Sequence, residues 1–316
     1  MFRTNADRAL GSSRPRLHFQ DDETVACVAG QRIRFSPSDD LASASGSRFQ
    51  AGSTGHGIAL LAVCPSAGLF AFTERIIEPR IQVARYPDCH VEDILVDDGV
   101  LDYGALAFSR DGSQLLSVSS EPTVRLVVWD WSQRTQLVAA TMPLACVDAS
   151  FNPANAGCLC TLSERVLTLW KVNKLYEHRS LSSIEVAASD EDGAADGWTV
   201  ASWGANDALY AGTDTGAVCA VSASGEARQL FACGAALAAI VEDSTHLLVA
   251  SRDGQLSWYA LGKYDAPLWT FSVGAPILSG GVATSPNYLS MAVATTDGAA
   301  HSIRLSSAKL PLTTLS

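Results

Sequence analysis

The side chains with the chemistry for proton transfer, nucleophilic attack or metal ligation are six histidines and eight cysteines. The histidines stand at 18, 56, 90, 178, 246 and 301, the cysteines at 27, 64, 89, 146, 158, 160, 219 and 233. A metal centre built from a local motif needs Cys-x-x-Cys pairs or Cys/His clusters, and neither is present. The cysteines are scattered through apolar runs, and the one close pair, Cys158-Leu159-Cys160, lies inside what reads as a strand. That is the pattern of reduced core cysteines in an intracellular protein. There is no Gly-x-Ser-x-Gly elbow, no His-Glu-x-x-His and no motif of paired carboxylates. Gly52-Ser53-Thr54-Gly55-His56-Gly57 has the glycines of a phosphate loop but not the Lys-Ser/Thr that completes one, and Gly262-Lys263 has the wrong spacing. Both read as plain loops. No catalytic residue, no metal and no cofactor is expected.

Aromatic anchors are the other way a surface acquires a function. Tryptophans stand at 129, 131, 170, 198, 203, 258 and 269. Trp129 and Trp170 end apolar runs and are expected to pack inside. Trp131 follows Asp130 just past a strand end, where part of the ring stays exposed. Asp130 and Trp131 are therefore the candidate partner contact.

These residues must be held by something, and the best-formed stretch is Leu106 to Trp131, LAFSRDGSQLLSVSSEPTVRLVVWDW. Apolar runs at Leu106–Phe108, Gln114–Val118 and Val124–Trp129 are separated by a Ser-Arg-Asp-Gly turn and a loop around Pro122, which predicts a three-stranded meander. Such a meander cannot bury both faces alone, so copies are expected, and they occur. First-turn anchors Cys64, Phe108, Phe151, Trp203, Val241 and Thr284 are 44, 43, 52, 38 and 43 residues apart. Third-strand anchors Ala84, Trp129, Trp170, Val221, Tyr259 and Ile303 give 45, 41, 51, 38 and 44. A period in the low forties is that of a four-stranded propeller blade of the WD kind.

The prediction is an all-β, seven-bladed WD40-like β-propeller over residues 17–310, with units at about 17–49, 58–89, 103–140, 146–180, 199–232, 238–270 and 280–305. The outsized third interval is assigned to an acidic surface insertion, 187–197 (AASDEDGAADG). Residues 1–16 read as a disordered leader. Asp214-Thr215-Gly216, Asp253-Gly254 and Asp297-Gly298 fall at hairpins between second and third strands, where positive φ is required. Gln136–Ala140 and Arg228–Ala232 are candidate outer strands. A strand from 17–28 is expected to close the ring by completing a blade with strands near 282–305. Gly55-His56 matches the pair that opens many WD repeats, with a structural role for the imidazole expected.

Composition narrows the partners. The chain of 316 residues is 47% hydrophobic and 17% charged, with a formal net charge of −11 and no Lys/Arg-rich run. That makes nucleic acid and anionic membrane poor partners. No apolar stretch is long enough to span a bilayer as a helix.

Residues 58–172 carry something more particular. Glu78-Pro79-Arg80-Ile81-Gln82-Val83-Ala84-Arg85-Tyr86-Pro87, Leu101 to Ser109, Leu126-Val127-Val128-Trp129-Asp130-Trp131, Ser150-Phe151-Asn152-Pro153 and Leu167-Thr168-Leu169-Trp170 occur in that order. This resembles the N-terminal propeller of the cilia- and flagella-associated WD-repeat proteins, the group that tethers an inner dynein arm motor to the doublet microtubule. The resemblance implies a non-catalytic protein-interaction scaffold, with axonemal dynein or doublet-associated proteins as partners and the cytoplasm, cytoskeleton and ciliary axoneme as its location. Members of that group continue into a second propeller and long coiled coils, which this sequence does not show, so it reads as a fragment or a shortened relative. The alternatives are a generic cytosolic WD-repeat adaptor, or a propeller with a small-ligand or enzymatic site at the channel mouth.

Overall fold

Second strands such as Leu115-Leu116-Ser117-Val118 are buried at consecutive positions because both faces of every sheet are covered, as a stack of sheets allows. The computed structural model describes residues 16–41, 46–163, 165–188, 197–204, 207–305 and 311–315. Within these, strands pair in sequence order into seven four-stranded antiparallel sheets.

Blade 1 comprises β1 (Leu17–Phe19), β2 (Thr24–Ala29), β3 (Arg32–Pro37) and β4 (Arg48–Ala51). Blade 2 comprises β5 (Ile58–Cys64), β6 (Leu69–Glu74), β7 (Ile81–Arg85) and β8 (His90–Leu95). Blade 3 holds β9 (Asp102–Phe108), β10 (Gln114–Glu121), β11 (Arg125–Asp130) and β12 (Thr135–Thr141), and blade 4 holds β13 (Asp148–Phe151), β14 (Cys158–Ser163), β15 (Val166–Leu175) and β16 (His178–Val186). Blade 5 runs through β17 (Trp198–Trp203), β18 (Leu209–Thr213), β19 (Ala217–Val221) and β20 (Ala227–Ala232). Blade 6 runs through β21 (Leu237–Glu242), β22 (His246–Ser251), β23 (Gln255–Ala260) and β24 (Trp269–Ser272), and blade 7 through β25 (Ile277–Thr284), β26 (Ser290–Thr295), β27 (Ala300–Leu305) and β28 (Pro311–Leu315).

The core is seven seams, one between each pair of neighbouring blades. Successive residues of one strand feed opposite seams, which is the period-two alternation of a strand put to use on both sides. Leu115 packs with Ile81, Val83 and Leu95 of blade 2, whereas Leu116 packs with Ala149, Phe151 and Leu159 of blade 4. Trp129 and Trp170 lie between adjacent blades as expected. Each indole Nε1 donates to a second-strand hydroxyl, Trp129 to Ser117 Oγ at 2.9 Å and Trp170 to Thr161 Oγ1 at 2.9 Å.

Turn chemistry follows the sequence. Gly216, Gly254 and Gly298 have φ of +95°, +98° and +81° at their hairpins. At the last two the adjacent Asp accepts the closing bonds: Asp297 Oδ1 takes the Thr295 hydroxyl at 2.6 Å and the Ala299 N–H at 3.1 Å.

Two expectations are corrected. Residues 17–28 do not complete the last blade. β1 pairs with β2 in blade 1, while blade 7 draws its fourth strand from Pro311–Leu315, so neither sheet has a vacant edge for the other. The ring closes by packing β1 on β25. The second correction concerns blade 4. Its third strand does not stop at Trp170 but runs on to Leu175, paired residue by residue with a strand returning from His178. This ribbon takes up part of the long third interval; of the acidic stretch expected to fill it, Ser189–Asp196 lie outside the described residues, as do residues 1–15 of the leader.

Candidate functional site

Antiparallel order fixes which loops share a face. Connections from second to third strand, and from one blade to the next, emerge at one face, here called upper; first-to-second and third-to-fourth connections emerge at the lower face.

At the upper face Arg16, immediately before β1, reaches from blade 1 to blade 4. Its Nη1 bonds Asp148 Oδ1 at 2.7 Å and its Nη2 bonds the Val147 carbonyl at 2.9 Å. The guanidinium and its carboxylate partner, on blades three apart in sequence order, therefore bridge the channel mouth. His18 lies two residues further along β1. Burial first, then the Arg16 cation, push its pKa from 6.5 down to about 4, against the opposing pull of Asp148. The imidazole is neutral at physiological pH. Two thiols sit near Asp148: Cys146 Sγ bonds the Asp148 carbonyl at 3.0 Å and Cys160 pairs with Ser150 Oγ at 3.3 Å. Burial pushes each thiol up to about 12, with Asp148 adding to the rise for both. Thiols held protonated in this way are not nucleophiles at neutral pH. No group of three or more His, Cys, Asp or Glu placed to hold a metal ion occurs among the described residues.

The glycine-rich loop 52–57 joins β4 to β5 at the same face and does cradle an anion, but one from its own chain. Glu74, at the end of β6 and 3% exposed, accepts from Ser53 Oγ at 2.7 Å, Thr54 N at 3.0 Å, Thr54 Oγ1 at 3.0 Å and Gln82 Nε2 at 3.0 Å. Burial would raise its pKa; the four hydrogen bonds outweigh that and hold the carboxyl below the usual range. Gly52 is required because a Cβ there would collide with the carboxylate. His56 is exposed at the loop tip.

The sequence-derived pair lies at the lower face. Asp130 Oδ1 accepts from Ser132 Oγ at 2.8 Å and Gln133 N at 3.1 Å, capping the β11–β12 turn. Trp131 is half-buried against the seam between blades 2 and 3, and its Nε1 donates to the Gly112 carbonyl at 2.6 Å, tying this turn to the β9–β10 turn. The equivalent connection of the next blade is the β15–β16 ribbon, which ends in Leu175, 71% exposed, and Tyr176, 87% exposed. Sequence reasoning missed it. The available signal was the lack of a Gly, Pro or Asp turn after Trp170, where Lys171-Val172-Asn173-Lys174-Leu175 alternates instead.

Over 189 residues, 59% of the chain, the sequence is 31% identical to cilia- and flagella-associated protein 43 of Xenopus laevis. It is 26% identical over 177 residues to protein 43 of Mus musculus and 29% identical over 168 residues to cilia- and flagella-associated protein 44 of Chlamydomonas reinhardtii. The curated relatives of this chain are cilia- and flagella-associated WD-repeat proteins. The matched region spans 11%, 10% and 9% of their respective lengths, so the likeness covers only about a tenth of each. No protein-family model matches. By structure, the β-propeller domain of Cps50 (Swd1) from Myceliophteria thermophila aligns with a TM-score of 0.66 over 82% of this chain and 85% of that one. At 15% identity that likeness concerns the fold alone.

Proposed function

We propose that this propeller is a non-catalytic scaffold of the cilium or flagellum that binds axonemal proteins, in the setting of inner dynein arm tethering. The observation that carries the reading is the likeness to proteins 43 and 44 in a chain that folds as a propeller. The chemistry agrees with it: the channel-mouth imidazole is neutral, its neighbouring thiols are protonated, and the one glycine-rich loop is filled by Glu74. Binding then falls to loops and rims, as is usual where a rigid scaffold carries variable connections. The lower-face turns of blades 3 and 4, from Asp130-Trp131 to the β15–β16 ribbon, form the contact surface in this reading.

Chemical cross-linking of intact axonemes that carry the tagged chain tests it. Cross-links to inner-arm dynein or to doublet-bound proteins are expected. Recovery of the chain in the soluble cytosol with no such cross-link would replace the ciliary scaffold by a general cytosolic adaptor.

A further inference from the structure

The third strands of the other six blades are 5 or 6 residues long; β15 has 10, and β16, its partner, has 9. The excess of four to five residues carries the ribbon about 13 to 17 Å past the rim at ~3.3 Å per residue. From Lys171 to Leu175 and back from His178 to Ser183 only Val172 and Leu181 retain any cover, which they find against the seam between blades 3 and 4. A two-stranded ribbon in water is at best marginally stable, so this one is poorly supported without a neighbour.

Its charges point to what that neighbour is. Lys174 and Arg179 stand directly opposite one another in the ladder, a like-charge pair that works against the ribbon. Lys171, three residues away, adds a cation on the opposite face of the ladder, and among the described residues no acid forms an ion pair with any of the three. The chain has four lysines, at 171, 174, 263 and 309, and two of them are here, on a body of net charge −11. The tip presents the exposed Leu175 and Tyr176, the latter with φ of +55°, a left-handed conformation uncommon for a bulky residue. Cations that repel each other in the free chain, beside an uncovered apolar tip, are complementary to a negatively charged surface that also offers an apolar contact.

We propose that the β15–β16 ribbon is a docking arm for an acidic protein segment, with Lys174 and Arg179 engaging its carboxylates and Leu175–Tyr176 its apolar side chains. The proposal rests on the scaffold reading and names the chemistry of one partner surface.

The test uses the full chain and a fluorescein-labelled peptide of alternating Glu and Leu, read by fluorescence anisotropy, with a DNA duplex of matched charge as a second probe. The wild-type chain binds the peptide, high salt weakens it, and Lys174→Glu with Arg179→Glu lowers affinity at least about tenfold, roughly 1.4 kcal/mol. Tyr176→Ala weakens it without changing the salt dependence. Lys174→Glu alone creates an opposite-charge cross-strand pair, so its melting temperature is not lowered while its peptide affinity falls; this separates lost binding from lost folding. No peptide binding, or equal binding by the double variant, overturns the proposal. Tighter binding of the duplex with the same loss in the variant also overturns it, in favour of a nucleic-acid ligand. If the double variant keeps its axonemal cross-links while no peptide binding is seen, the arm is rejected and the scaffold reading stands. Peptide binding by a chain with no axonemal cross-link has the opposite meaning.

Discussion

Acidification should weaken the ring through His18. In the folded chain, burial and the Arg16 cation hold this imidazole at a pKa of about 4 against 6.5 for the unfolded side chain, partly offset by Asp148 and by a hydrogen bond with the Leu61 backbone. Its Nε2 is buried without a hydrogen-bond partner among the described residues, so a proton placed there would be a charge with nowhere to go. The folded state therefore takes the neutral form, and the unfolded chain binds a proton that the folded chain refuses. The contribution is fully present above about pH 6.5 and is lost progressively as pH falls toward about pH 4. Integrating the linkage from about pH 7 to about pH 5 gives a loss of roughly 2 kcal/mol. The carboxyls of Glu74, Asp111 and Asp297 are held low, so their contributions disappear only below this window. Urea denaturation at intervals across the window measures the wild type and His18→Asn, and the difference in slope isolates this side chain from the other histidines. Parallel slopes for the two proteins would refute the reasoning, as would a wild type whose stability is flat over the range.

Glu74→Gln removes the charge that Ser53, Thr54 and Gln82 surround, and should cost about 2 kcal/mol in a thermal melt and expose loop 52–57 to proteolysis. Ser117→Ala leaves the Trp129 indole N–H buried without its acceptor, a loss of about 1–3 kcal/mol by chemical denaturation. Cys146 and Cys160, pushed up to about 12, should resist iodoacetamide at neutral pH in the folded chain and react once it is unfolded; rapid labelling of the native protein would contradict the account given of the channel mouth. The seam between blades 7 and 1 joins Leu17, Phe19, Val25 and Leu41 to Ala292 and Ala294, with less side-chain bulk than the other six, so hydrogen exchange should be faster in β1 and β26 than in β10 and β14.

The blade period was legible because it is written in elements that each obey local rules. Apolar runs of strand length, Asp-Gly turns and tryptophans at third-strand ends recur whatever the ring does with them. First-turn anchors such as Cys64, Phe108, Phe151 and Thr284 prove to be the last residues of the innermost strands. What the sequence did not disclose depends on relations between distant segments. Ring closure turns on whether Pro311–Leu315 or Leu17–Phe19 fills the last edge, and both are short apolar runs with nothing local to choose between them. The partner of Glu74 was equally hidden: Gly52–Gly57 advertises an anion site, but only the fold shows that the anion is a side chain about twenty residues on. Asp130 and Trp131, the candidate partner contact, also have a local structural use that the sequence does not disclose: one caps the turn backbone and the other pins the neighbouring loop.

These placements bear on how such a ring can bind anything. The upper mouth is crossed by Arg16 and its Asp148 partner, and the nearest thiols and imidazole are held in their neutral forms. The lower face of blades 3 and 4 is built the other way. A half-buried Trp131 marks one turn, and the next blade extends a cationic ribbon whose apolar tip finds no cover. The seams fix the base of that ribbon, because Trp170 and its Thr161 partner lock β15 into the ring just before it leaves. A projecting arm on a rigid base can reach a surface that is flat or recessed, where a propeller face with only short turns could not. The seven seams thus supply stiffness, and the one blade that breaks the common strand length supplies the place where that stiffness can be used.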